Sequence, residues 1–281
     1  MIRLIISIIT NSKLPLTWQL RLLRVASAIA WRQSAIQGWA ETHPKIAIGS
    51  KWCSRAWWGV NAGKVLRYHL EDPNLRSAAL ELLDPTDWSE FDKARASGGV
   101  IVATAHLGPP KFLMHIMLER RMPLLVWTNT ADLPEWLSHS PNATFLDPLP
   151  PAERAVLLVK SAMHLRQGEV LLGAADMNTG GRSQELNRFD YCWHLSPGLP
   201  ALARRLAVPT FIMLALWQGN RIKIMCQRIE ISEKDLTDEQ WRQAWLDRYW
   251  SELEKIISSS PENLRFLRKI DKGRYRQELG L

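Results

Sequence analysis

A histidine that closes an apolar, β-branched run can move a proton for a bound ligand, and residues 98–111, GGVIVATAHLGPPK, have that form. The run is too short for a buried globular helix and rich in Val, Ile and Thr, so it reads as a strand buried on both faces. His106 stands at its end. Gly108 supplies a turn, and Pro109 and Pro110 suit the first turn of a helix, where the N–H groups they lack would have no intrahelical partner. A titratable side chain at the carboxyl end of such a strand faces the mouth of an α/β sheet, where ligands bind. The structural alternative is a core histidine satisfied by backbone.

Two further segments carry candidate chemistry. In AADMNTGGRS, an apolar strand ends at Asp176 and enters a Gly-rich turn with Arg182 just beyond. Such a turn presents backbone N–H groups and a guanidinium to an anion or carbonyl, or is simply a loop with a capping aspartate. In SPGLPALARR, Ser196 and Gly198 precede and open a helix whose first N–H groups suit an oxyanion or phosphate, or are merely capped. Metalloprotease, serine-hydrolase and dinucleotide signatures are absent from the chain. The phosphate-loop look-alike GVNAGK at 59–64 is one residue short and follows a helix, so it is discarded.

These residues need a scaffold, and the pattern of the chain supplies one. Residues 1–96 read as helical, with breaks near ETHP and EDPN. Strands are expected at 98–105, 122–128, 142–147, 168–176, 208–218 and 220–231, and helices at 110–120, 151–167, 198–207, 238–258 and 261–268. Alternation of this kind implies an α/β fold, with a mixed, largely parallel central sheet flanked by helices and a helical N-terminal region. The closing pair of strands, joined by QGN, makes a hairpin. Residues 1–40 are expected to form an amphipathic segment suited to a membrane interface, and 41–281 a single α/β domain.

Bulk composition narrows the partners. A net charge of +8 over 281 residues favours polyanions, among them anionic headgroups, an acidic carrier protein or nucleic acid. No nucleic-acid-binding module is recognisable and the basic residues are dispersed, which disfavours nucleic acid. Cys53, Cys192 and Cys226 lie far apart without metal or redox spacing. Of the 14 tryptophans, Trp31, Trp39, Trp52, Trp57 and Trp58 cluster beside Arg and Lys, a combination favoured at membrane interfaces. From Leu14 to Ala40 apolar residues recur at helical spacing with Arg21, Arg24 and Arg32 interleaved; the alternative is an ordinary core-facing helix. The apolar opening, MIRLIISIIT, is too short to span a bilayer and lacks a signal-peptide cleavage site.

His106 after its strand, the Asp176–Arg182 turn, PGLPALARRLAVP and SPENLRFLRK occur in an order that resembles the lysophospholipid acyltransferase superfamily. Over roughly residues 15–270 the chain is most similar to the late acyltransferases of lipid A biosynthesis. That resemblance implies an acyl thioester donor on acyl carrier protein or coenzyme A, no cofactor or metal, and a peripheral position on the cytoplasmic face of the inner membrane. It also implies an H-x4-D/E motif in which the histidine deprotonates the acceptor hydroxyl while the acid orients the ring. Here Lys111 occupies the place of the acid. An ammonium cannot accept the imidazole N–H, so another residue must hold the tautomer. Near a helix start, Lys111 suits an anionic group such as a phosphopantetheine phosphate; otherwise it is a solvated bystander. The expected site is therefore His106 and Asp176 as catalytic residues, with Lys111, Arg182, Ser196 and Gly198 binding substrate. Alternatives are hydrolysis or release of a carrier-bound acyl or polyketide chain on the same fold, and a non-catalytic acyl- or carrier-binding subunit.

Overall fold

A computed structural model describes residues 7–9, 12–34, 36, 49–128, 133, 137, 140–147, 154–176, 184–188, 191–232 and 235–264. Its strands β1 (Val100–Thr104), β2 (Leu124–Trp127), β3 (Ala143–Leu146), β4 (Val170–Ala174), β7 (Thr210–Gln218) and β8 (Arg221–Ile229) form one sheet in the order β3-β2-β4-β1-β7-β8. The first five run parallel and β8 returns antiparallel to β7, so the sheet is mixed and mostly parallel, as its alternation with helices requires. The apolar sequences of β1 and β4 reflect burial on both faces. β5 (Gln184–Arg188) and β6 (Tyr191–Leu195) make a separate hairpin that the sequence reading lacks, because QELNR and YCWHL do not alternate cleanly.

Helices α1 (Leu16–Ala30), α2 (Gly49–Glu71), α3 (Arg76–Leu80) and α4 (Ser89–Ala96) precede the sheet. Within it and after it come α5 (Pro110–Glu119), α6 (Arg154–Arg166), α7 (Gly198–Leu206) and α8 (Asp238–Ser259). The crossovers β1–α5–β2 and β4–α7–β7 travel in opposite directions along the sheet, so right-handed connections place α5 and α7 on opposite faces. α5 packs against α2, which carries α1, while α7 lies between α6 and α8. Side-chain alternation on β7 agrees: Thr210 accepts a bond from Trp245 of α8, and the next residue, Phe211, meets Phe91 of α4 edge-on.

Three corrections concern the helices. Of the segment expected from Leu14 to Ala40, Leu16–Ala30 is helical and Trp31–Gln33 continues as a 3-10 turn, while residues 35 and 37–40 lie outside the described residues. Trp52, Trp57 and Trp58 are core residues, not interfacial ones. Trp58 donates its indole N–H to the Leu20 carbonyl (3.0 Å) and meets Trp217 edge-on, so it seats α1 on α2 and α2 on β7. The expected helix at 261–268 is a 3-10 turn, Pro261–Asn263, followed by Leu264, which forms an antiparallel bridge with Leu107. Trp39, the ETHP break and everything beyond Leu264 lie outside the described residues. No helix among the described residues is long and apolar enough to cross a membrane.

The 3-10 turn lies tightly against α2. A Cβ at Gly59 would overlap the Glu262 carbonyl, and one helical turn earlier Arg55 pairs with the Glu262 carboxylate at 2.7 Å. Gly63, by contrast, has nothing near its missing Cβ. Two glycines in one helix should therefore respond oppositely to the same substitution. Gly59→Ala is expected to cost about 1–3 kcal/mol through overpacking. Gly63→Ala is expected to stabilise by about 0.5–1 kcal/mol through helix propensity alone. Urea denaturation of the two variants checks both signs.

Candidate active site

β1 and β4 are adjacent, parallel and in register, with Thr104 opposite Ala174. Each chain runs two residues further, so His106 emerges beside Asp176. The Asp176 carboxylate grips it twice: Oδ2 accepts the His106 backbone N–H at 2.7 Å and Oδ1 lies 2.9 Å from Nδ1. A carboxylate is acceptor only, so Nδ1 carries the proton and Nε2 becomes the basic nitrogen. The His106 side chain is 29% exposed and that of Asp176 12%, which leaves the base within reach of a ligand and shelters the acid that orients it.

The turn after His106 is built to a narrow tolerance. Gly108 adopts φ +57°, and a Cβ there would overlap the Ala215 carbonyl of β7. Its N–H donates to the Asn263 carbonyl at 2.7 Å. Asn263, almost wholly buried, spends its side chain on β7: Oδ1 accepts the Trp217 N–H at 2.7 Å and Nδ2 donates to the Trp217 carbonyl at 3.3 Å. One amide therefore holds strand, turn and C-terminal segment together, with no buried polar atom of its own left over. Pro110 then opens α5.

The acid that orients His106 thus comes from the neighbouring strand, while the residue in the place of the motif acid, Lys111, is a half-buried side chain in the first turn of α5. Ser196 joins the site through its backbone, donating to the Ala175 carbonyl at 3.1 Å and so bringing the start of α7 beside Asp176. Gly198 packs closely, since a Cβ would stand a tight 3.1 Å from the Trp127 ring, which is itself held by an indole bond to Ser161 at 2.9 Å. Arg182 lies outside the described residues. Sequence reasoning missed Asn263 and Trp127. The only signals for them were a polar residue inside SPENL and an aromatic at the carboxyl end of a strand.

Compared with models of known protein families and with curated proteins, the chain matches none. The resemblance to the acyltransferases accordingly stands on the short sequence motifs alone.

A tautomer held by one carboxylate can be tested directly. In Asp176→Asn the amide can donate to the ring as well as accept, which removes the preference for Nδ1–H. The expected outcome is a shift of His106 toward the Nε2–H form, read from its ring nitrogens by NMR. A His106 ring that keeps its Nδ1–H form would contradict the assignment.

Proposed function

We propose that the protein is an acyltransferase-like enzyme that works at a membrane surface on an acyl thioester of acyl carrier protein or coenzyme A. The observation that carries this reading is the His106–Asp176 pair, with Nδ1 held by the carboxylate and the imidazole side chain partly exposed at the carboxyl mouth of the sheet. Nε2 takes the proton of the acceptor hydroxyl as its oxygen attacks the thioester carbon. The tetrahedral intermediate then collapses, the C–S bond breaks, and the imidazolium returns the proton to the departing thiolate. Asp176 stabilises the imidazolium between the two steps. Because the pair is complete without an acid at position 111, the lysine there gives no reason to prefer water as acceptor. Lys111 would instead meet the phosphate of the donor, and the start of α7 at Gly198 lies at the same, carboxyl end of the sheet on its opposite face.

The membrane part of the reading is supported by α1. One side of this helix, Leu16, Leu20 and Leu23, belongs to the protein core. On the other, Trp18, Leu22, Val25 and Ile29 stand in solvent at helical spacing, with Val25 75% and Ile29 67% exposed. Residues 1–40 contain Arg3, Lys13, Arg21, Arg24 and Arg32 and no acidic residue, so the stripe carries a field that suits anionic headgroups. Arg24 also donates to the Gly219 carbonyl in the turn after β7, at the same end of the sheet as His106.

Incubation with carrier- and coenzyme A-linked thioesters, followed by mass spectrometry of free acid and acylated products, tests the chemistry. Transfer is expected, and His106→Ala should abolish it without loss of the thermal unfolding transition; a wild-type rate in that variant would overturn the base. Free acid as the sole product would replace transfer by hydrolysis. Val25→Glu with Ile29→Glu should release the protein from anionic vesicles at low salt. Equal partitioning of the wild type onto neutral and anionic vesicles would remove the membrane from the reading.

A further inference from the structure

Tyr249 sits in the middle of α8 with no exposed surface, far in sequence from both members of the pair. Its ring stacks on Trp245 (centroids 5.5 Å, planes 16° apart), and Trp245 is tied by its indole N–H to Thr210 Oγ1 at 2.9 Å. The place of the phenol is therefore fixed from β7. Its hydroxyl donates to the Thr104 carbonyl at 2.7 Å, the last carbonyl of β1.

That carbonyl is where pairing between β1 and β4 weakens. The Ala175 N–H reaches it only at 3.4 Å, beyond the usual range of a sheet hydrogen bond. The tyrosine supplies the short bond that the ladder lacks at this point. The Thr104 carbonyl thus takes the tyrosine O–H together with the longer bond from the Ala175 N–H. The hydroxyl thereby braces the carbonyl at which the end of β1 meets the residue before Asp176. Burial and the negative charge of Asp176 keep the phenol pKa well above its ordinary value, so the group stays a neutral donor.

We propose that Tyr249 is the positioning residue of the site: its hydroxyl fixes the Thr104 carbonyl, which also takes the Ala175 N–H, and so sets the separation at which Asp176 meets His106. It acts from beneath the sheet and touches no reacting atom. The proposal deepens the function given above and rests on its assignment of His106 and Asp176 as the acting pair.

The decisive variant is Tyr249→Phe, which keeps the ring and removes one oxygen. With the ring nitrogens of His106 observed by NMR, its Nδ1–H is expected to exchange with solvent at least about tenfold faster than in the wild type. The Nδ1–H tautomer should lose population as well. Leu253→Ala, which leaves a larger cavity elsewhere on α8, should change neither. In the thioester assay kcat should fall about ten- to a hundredfold with KM unchanged, as displaced catalytic groups require. The NMR readings need no substrate, so they stand even if thioesters prove to be the wrong substrates. A folded Tyr249→Phe protein whose His106 keeps wild-type tautomer and exchange overturns the positioning role. A second measurement needs no variant: in the wild type the Ala175 amide, which shares the braced Thr104 carbonyl, should exchange as slowly as those of β4, and loop-like exchange there would overturn the proposal equally.

Discussion

In-register pairing of two adjacent parallel strands is the constraint on which the site depends, because β1 and β4 each deliver one functional side chain from the same number of residues past their last rung. A slip of one residue would turn every side chain of the slipped strand to the other face of the sheet and separate His106 from Asp176. Burial of β1 and β4 on both faces makes such a slip costly, since their apolar side chains fit neighbours above and below. The register that packs the core is thus also the register that assembles a base with its acid.

Holding the strands is not enough, because the chain must leave β1 sharply after His106. The turn at Gly108 fits between β7 and the segment Pro261–Asn263, and that segment fits into the groove that Gly59 leaves on α2. Four pieces distant in sequence meet there: α2, the turn after β1, the end of β7 and the C-terminal 3-10 turn. Asn263 satisfies backbone groups on two of them at once, so the geometry of the mouth is carried by a buried polar contact inside an otherwise apolar junction.

α1 shows how one helix can serve two environments. Its inward side is held by Trp58 and by Ser27, whose hydroxyl meets that of Ser54 at 2.9 Å. Its outward side is as apolar as the inward one in places, yet nothing among the described residues covers Val25 or Ile29. The basic residues border this stripe, with Arg21 over the Trp18 ring at 5.4 Å. A helix with one buried and one exposed apolar side departs from the usual polar-out pattern, and an exposed apolar stripe of this kind is what an interaction surface presents.

Much of this protein was already determined by its sequence. Strands buried on both faces must be continuously apolar, so their number, order and parallel alternation with helices could be read directly, and His106 and Asp176 could be recognised as polar residues ending two of them. Tertiary structure decided which strands are neighbours. Crossovers leave β1 toward β2 and then insert β4 between them, and only that insertion makes an aspartate 70 positions away the partner that Lys111 cannot be. It decided the tryptophans as well: Trp52, Trp57 and Trp58 share a composition with interfacial residues, but helix packing buried them and left Trp18 outside. Asn263 and Tyr249 were invisible for the same reason. A buried amide or phenol is distinguished by the backbone groups it meets, and those come from parts of the chain that local pattern does not relate.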